Sequence, residues 1–306
     1  MRMRSVPKTD LLVSELCLGG NVFGWSANKH ESFEVLNAYA AAGGNFIDTA
    51  DVYSEWKPGN VGGESESIIG EWLKSQDRDC FIIATKVAKL STRPGLSAAN
   101  IIAACEDSLR RLQVEHIDIY YSHHFDGEVP LEETLAAYEQ LIATGKVRYI
   151  AASQHSADQL KKAFAIAEEN DLPHYIALQN EYNLIEREQF ETDSMPILQE
   201  LGIGAFPFFA LARGFLSGKY QPGAKIESVR AHGVEAYATE ENFALIQRVS
   251  SVASEHGVSN AAVALQWLRQ RPGVIAPIAS ARTTEQLAEI TQELTLTDQE
   301  IEFIKG

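Results

Sequence analysis

Asn45-Phe46-Ile47-Asp48-Thr49-Ala50-Asp51-Val52-Tyr53 is the stretch on which the reading of this chain turns. An apolar run ends on a carboxylate, and a phenol follows in the polar segment behind it. Alone, it reads as a buried strand entering a loop. Its form recurs. Cys80-Phe81-Ile82-Ile83-Ala84-Thr85 ends in Lys86, and Ile117-Asp118-Ile119-Tyr120-Tyr121-Ser122 ends in His123. Three successive expected strands therefore carry an acid, a base and an imidazole at their C-terminal ends.

The same alternation extends both ways. Upstream, residues 3–14 suit a short hairpin around Pro7 and Asp10, and Leu16-Cys17-Leu18-Gly19-Gly20 a first buried strand. Phe33, Leu36, Tyr39 and Ala40 recur at helical spacing until Gly43-Gly44. Downstream, helical spacing appears at Ile68, Ile69, Trp72 and Leu73, again from Ile101 to Leu112, and from Leu131 to Ile142. Val147-Arg148-Tyr149-Ile150-Ala151-Ala152 is the fifth strand; Leu160, Phe164 and Ala167 mark a helix with Ser156 and Asp158 as capping candidates. Tyr175–Gln179 and Ile203–Pro207 read as strands six and seven, with a short helix near 193–201 between them. An insertion over about 208–240, helices near 241–256 and 259–270, an eighth strand at Val274-Ile275-Ala276 and a helix over 284–293 complete the series. Eight strands alternating with helices predict an α/β fold, a (β/α)8 TIM barrel with an N-terminal β-hairpin, as one domain over 1–306. An open doubly wound sheet would carry a glycine fingerprint after its first strand; Gly19-Gly20-Asn21-Val22-Phe23-Gly24 matches it poorly. In a barrel the C-terminal face of the strands carries the chemistry.

Composition narrows the function. The chain is 45% hydrophobic and 22% charged, as in ordinary folded proteins, and its net charge is −16. So acidic a surface repels phosphate backbones and anionic lipid, so neither nucleic acid nor membrane is an expected partner. No run reaches the roughly 18 apolar residues of a membrane span. Arg2 and Arg4 have no apolar run behind them, so no signal peptide is expected. Cys17, Cys80 and Cys105 lie in apolar strand or helix contexts without metal-type spacing and read as small buried hydrophobes in a cytoplasmic protein.

If Asp48, Tyr53, Lys86 and His123 converge, their chemistry is specific. A tyrosine is a poor proton donor near neutral pH, with a reference pKa of about 10. A neighbouring ammonium favours the phenolate and lowers that value. A carboxylate would hold the ammonium, and a neutral imidazole could orient a carbonyl oxygen. These parts suit protonation of a carbonyl as a hydride arrives, and since none of them supplies hydride, a nicotinamide cofactor is implied. The competing reading of Asp48 and Lys86 is a structural salt bridge at a barrel rim. Asp51 is expected to cap or to be solvated.

At this point the chain resembles the aldo-keto reductases nearly end to end. Phe46 to Tyr53, Ala84-Thr85-Lys86-Val87 and Ile117 to His123 are similar to that family's signatures. The resemblance implies Tyr53 as general acid, Lys86 and Asp48 tuning it, and His123 orienting the substrate. It also implies an extended NADPH/NADP+ across the barrel top, near Gly20, Asn21 and Asp48. Ser153 and Gln154 stand where the family has serine and asparagine, and Gln179 with Asn180 resembles its carboxamide contacts. The run from Gly202 to Tyr220 resembles the segment whose aromatic ring stacks on nicotinamide; Phe208 holds the usual tyrosine position, with Leu211, Arg213 and Lys219 following. Ile278 to Leu287 resembles the adenosine-phosphate segment, with Ser280, Arg282 and Gln286 as contacts and the helix start near Thr284 facing phosphate. Arg282 can bind a 2′-phosphate bidentately, which favours NADPH over NADH, while Ile290 replaces an asparagine that would bond adenine.

Trp25, Trp56, Phe125 and Tyr237 lie in loops after strands and could wall an apolar pocket or simply pack those loops. The expected activity is NADPH-dependent reduction of an aldehyde or ketone, with no metal site, a small carbonyl or alcohol as ligand, and any protein partner unknown. The alternative is a non-enzymatic nucleotide sensor similar to the potassium-channel β subunits.

Overall fold

The computed structural model describes residues 1–220, 222 and 231–306. A hairpin of β1 (Met3–Ser5) and β2 (Leu12–Ser14) precedes eight parallel strands. These are β3 (Cys17–Gly19), β4 (Phe46–Asp48), β5 (Ile82–Val87), β6 (Ile117–Ser122), β7 (Val147–Ser153), β8 (Ala177–Gln179), β9 (Gly204–Ala205) and β10 (Ile278–Ala279). Around the sheet the order is β10-β3-β4-β5-β6-β7-β8-β9. A parallel bridge from Ala205 to Val274, with Ile275 N donating to Ala205 O at 2.9 Å, closes the sheet. The fold is a (β/α)8 barrel with an N-terminal hairpin, as expected.

Helices α1 (Lys29–Ala41), α2 (Glu64–Leu73), α3 (Ala98–Leu112), α4 (Leu131–Ala143), α5 (Ala157–Asn170) and α6 (Met195–Leu201) each follow a barrel strand. After β9 come α7 (Ala231–Glu235), α8 (Glu240–His256) and α9 (Asn260–Arg269), and after β10 come α10 (Thr284–Ile290) and α11 (Asp298–Lys305). Ser156 caps α5 in a reciprocal capping box with Gln159, whereas Asp158 sits in the first turn. The insertion read over 208–240 lies partly outside the described residues.

Three boundaries differ from expectation. Cys80 is exposed in a turn over Arg78–Cys80, and β5 starts only at Ile82. Arg78 holds that turn, donating to Phe81 O at 2.6 Å and to Asp118 Oδ2 at 2.6 Å. The eighth strand is split by Pro277, which has no N–H to donate. Residues 274–276 seal against β9, and only Ile278–Ala279 pairs with β3. Helix α10 stops at Ile290, and α11 was not read from the sequence at all.

Period-two alternation puts one face of each strand inside the barrel. Cys17, Phe46, Ile82, Ala84, Ile119, Tyr121, Ala151, Ala177 and Phe206 form an interior cluster, closed below by Val6, Leu11 and Val13 of the hairpin. Phe46 and Phe206 meet edge to face at 4.9 Å between centroids. The opposite faces, such as Leu18, Ile47, Ile83 and Leu178, pack against the helices. Two positions above Phe46, Ala84, Ile119 and Ala177, the inward series continues with Asp48, Lys86, Tyr121 and Gln179. The alternation that builds the core therefore also aims polar groups at the top of the barrel.

Outside the barrel, Glu66 of α2 is fully buried between Thr85 Oγ1 at 2.5 Å and Arg111 Nε at 2.6 Å. Asp51 lies close enough to feel this pair. It is only 1% exposed, and neither carboxylate oxygen has a partner among the described residues, so it neither caps nor meets solvent as expected. Burial, and then Glu66, pushes its pKa up to about 7. In an unfolded chain the group ionises near ~4. Between those values the native state keeps a proton that the unfolded chain has lost, so stability falls as pH rises from about 4 to about 7. Asp51→Asn removes this penalty. Urea titrations at pH 5 and pH 8 are expected to show the variant's advantage growing by about 1–3 kcal/mol at the higher pH. The same advantage at both pH values would show that Asp51 titrates normally.

Candidate active site

The end of β4, the last inward residue of β5 and the loops that follow bring four side chains together at the C-terminal mouth of the barrel. Lys86 is fully buried. Its Nζ donates to Asp48 Oδ2 at 2.6 Å, Thr49 O at 2.7 Å and Tyr53 OH at 3.0 Å. An ammonium has three protons, so this set uses every donor and fixes the phenol's place. The register explains the reach: Asp48 pairs with Ala84, one inward position below Lys86, and the lysine side chain folds back to it. Tyr53 OH also lies 3.3 Å from Asp48 Oδ2, and Gln179 Nε2 donates to Asp48 Oδ1 at 3.0 Å. Both oxygens of the buried carboxylate are thus engaged.

His123 stands beside this group, its ring centroid 6.1 Å from that of Tyr53. Burial pulls its pKa well below the usual histidine range, and Lys86 and Lys89 add to the effect, so the ring is neutral. Its Nδ1 is buried with no partner among the described residues. Tyr53 moves opposite to the sequence expectation. Burial pushes the phenol well above its ordinary value, and the Asp48 carboxylate adds to this. Asp48 already neutralises the nearby ammonium, so phenolate would form desolvated beside a carboxylate. The phenol is therefore held protonated. Burial likewise pulls Lys86 below its ordinary value, against the opposing pull of Asp48.

A cavity of about 460 Å³ opens above these groups. It is lined by Asp48, Tyr53, Trp56 and His123, and also by Asn21, Ser153, Gln154, Gln179, Phe208, Leu211, Arg213 and Ser280. Gly20 lies behind the lining. A Cβ there would come within 2.7 Å of Ser65 Oγ and 3.2 Å of Asp48 O, so the close packing of this turn needs glycine. A second cavity of about 290 Å³ holds Lys219, Arg282, Gln286 and Ile290 and shares Leu211, Arg213, Gly214 and Ser280 with the first. The two form one trough from the phenol to α10, bordered by Lys89, Arg213, Lys219 and Arg282 in a strongly acidic protein. Its shape and charge fit an extended, anionic dinucleotide.

Within this trough several residues have other duties. Arg213 lies over the Phe209 ring at 3.9 Å, and Lys219 over Tyr220 at 5.0 Å. At α10, Thr283 Oγ1 accepts from Gln286 N at 3.3 Å and Gln286 Oε1 accepts from Arg282 N at 3.0 Å. The Gln286 amide, one of those expected to face phosphate, is therefore already engaged within the α10 cap.

On the open side, Trp56 is 47% exposed and edge-on to Tyr53 at 6.0 Å. Trp25 braces it from behind at 5.6 Å. Phe125 packs on His155 at 5.6 Å and does not line the cavity, and Tyr237 stands behind Glu181, to which it donates at 3.1 Å. Sequence reasoning passed over Thr49 O, the Gln179–Asp48 bond, Glu181 and Lys89. The last had a signal, since it is a second cation three residues beyond Lys86 in the same strand-end segment.

Among the described residues no helix is long and apolar enough to cross a membrane. Comparison with known proteins gives the same direction as the geometry. The Aldo/keto reductase family profile matches residues 15–306. The chain is 34% identical over 305 residues to the uncharacterized oxidoreductase YrpG of Bacillus subtilis (strain 168), covering 96% of this chain and 91% of that protein. It is 32% identical over 300 residues to a probable voltage-gated potassium channel subunit beta of Arabidopsis thaliana (94% and 90%). To the aldo-keto reductase AMT2 of Alternaria alternata it is 32% identical over 337 residues (97% and 89%). A barrel with this site, matched nearly throughout its length, belongs to the aldo/keto reductase family of oxidoreductases, which act on small carbonyl compounds with nicotinamide nucleotides.

Proposed function

We propose that the protein is an NADPH-dependent reductase converting aldehyde or ketone carbonyls to alcohols, with Tyr53 as general acid. The observation that carries this reading is the Lys86 ammonium bonded at once to Asp48 and Tyr53 beneath an open cavity. The nucleotide would lie along the trough, with its nicotinamide end among Phe208, Ser153, Gln154 and Gln179 and its phosphate end at Arg282. When bound, reduced nicotinamide supplies the hydride.

The chain's own residues do the rest. Trp56 shields the mouth, and a neutral His123 can donate a ring N–H to the substrate oxygen and so orient the carbonyl. Tyr53 OH delivers its proton to that oxygen as negative charge develops there. An alkoxide is about as basic as hydroxide, whose conjugate acid titrates near ~15.7, so even a phenol raised above its usual value gives up its proton downhill. The phenolate left behind accepts from Lys86 Nζ, which already points at it from 3.0 Å. Asp48 keeps that ammonium in place throughout. Similarity to proteins named as channel β subunits supports a second reading, a nucleotide-binding regulatory subunit on the same barrel.

Three measurements test the reductase. Tyr53→Phe is expected to lower carbonyl-dependent NADPH oxidation by about 10²–10⁴-fold while NADPH still quenches protein fluorescence. NADPH binding without turnover in the wild type, on a broad aldehyde panel, would favour the regulatory subunit. Because His123 is shifted down and Tyr53 up, both stay in their working protonation states across the neutral range. The rate of reduction should therefore vary less than about threefold from pH 6 to pH 9, and a steep limb inside that window would assign the acid to another group. Arg282→Ala should raise KM for NADPH by about 10- to 100-fold and leave that for NADH nearly unchanged. Equal effects on both would remove Arg282 from 2′-phosphate recognition.

A further inference from the structure

Lys89 follows β5 directly and lines the catalytic cavity alongside Trp56 and His123. It is half-buried, and among the described residues it makes no hydrogen bond or ion pair. Four other lysines meet carboxylates, Lys29 with Glu71, Lys146 with Glu106, Lys161 with Glu200 and Lys305 with Glu302, while Lys8 and Lys57 donate to backbone carbonyls. Lys86, its neighbour, is fully used by Asp48, Thr49 and Tyr53. A partly desolvated ammonium without a counter-charge is costly, and the cost falls when an anion arrives. Burial and Lys86 both pull its pKa down, as expected of a cation awaiting a partner.

The topology says which ligand it meets. In the closed order β10-β3-β4-β5-β6-β7-β8-β9, β5 stands opposite β9. Apart from Asp48 at the end of β4, the residues assigned to the nucleotide lie at or after the ends of β3, β7, β8, β9 and β10, on the other side of the mouth. The arc after β4, β5 and β6 carries Tyr53, Trp56, Lys89 and His123 and is left for the substrate. A carbonyl placed at Tyr53 and His123 therefore has an apolar indole wall and one free ammonium within the same cavity.

We propose that Lys89 holds the carboxylate of an oxo-acid substrate while Tyr53 and His123 engage its carbonyl. This rests on the reductase reading and names its substrate class. The salt contact would act on substrate binding, so it should appear in KM, and an arginine in its place should retain it.

The test compares 4-carboxybenzaldehyde with its uncharged methyl ester, using NADPH and the full chain. Wild type is expected to favour the acid at least tenfold in kcat/KM. Lys89→Met should shrink that preference by about 10- to 100-fold, chiefly through KM, and Lys89→Arg should keep most of it. Equal use of acid and ester by wild type, or a preference that survives Lys89→Met, would overturn the proposal. In parallel, benzoate and benzamide are titrated into the NADP+-loaded protein by tryptophan fluorescence. If neither aldehyde is reduced, the broad aldehyde panel judges the reductase reading, and this titration judges the anion site alone. Tighter binding of benzoate that weakens at least tenfold in Lys89→Met supports it, and indifference to charge or to the substitution rejects it.

Discussion

The buried contact between Asp48 and Lys86 is the constraint on which the rest of the site depends. Two ions removed from water are tolerated only when geometry is close and the remaining polar valences are filled. Here they are filled, the carboxylate by Lys86, Tyr53 and Gln179, and the ammonium by Asp48, Thr49 and Tyr53. The phenol is part of that satisfaction. Remove Asp48 and the ammonium loses its counter-ion; remove Lys86 and a buried carboxylate faces a phenol with no cation between them. A rim salt bridge of purely structural use would not need its third partner to sit at the floor of an open cavity.

The barrel makes such a contact possible because its lower interior is closed by Phe46, Phe206 and the hairpin residues Val6, Leu11 and Val13. On β4, β5 and β6, inward positions alternate from that apolar plug to the polar layer above it. Each strand can therefore devote its last inward residue to chemistry while its earlier ones pack. The loops then need only add Tyr53, Trp56 and His123 at short distances from the strand ends. This is why Asp48 and Lys86, on different strands, can be placed to within hydrogen-bonding distance.

What the sequence makes legible follows from the same alternation. The strands announce themselves as short apolar runs, and Asp48, Lys86 and His123 stand out because each terminates one. The boundaries at Cys80 and Pro277 are less legible, since the first depends on Arg78 bonding backward to Phe81 O and the second on which neighbour each half of a proline-split strand meets. Electrostatics is less legible still. From residue types alone, a lysine beside a tyrosine predicts an acidified phenol. Only the distances show that Asp48 claims the ammonium first and that burial pushes the phenol upward. Asp51 is a similar case, a loop carboxylate that the fold closes over.

These displacements have a common logic. Burial here raises the phenol and lowers the imidazole, and each shift keeps its group neutral near physiological pH. The proton is thus stored on Tyr53 and kept off His123 by the same dry environment, with the Asp48–Lys86 ion pair below them. Against a net charge of −16, the cations at Lys89, Arg213, Lys219 and Arg282 then stand out around the mouth. On so acidic a protein, four cations gathered along one trough raise the local potential there relative to the rest of the surface.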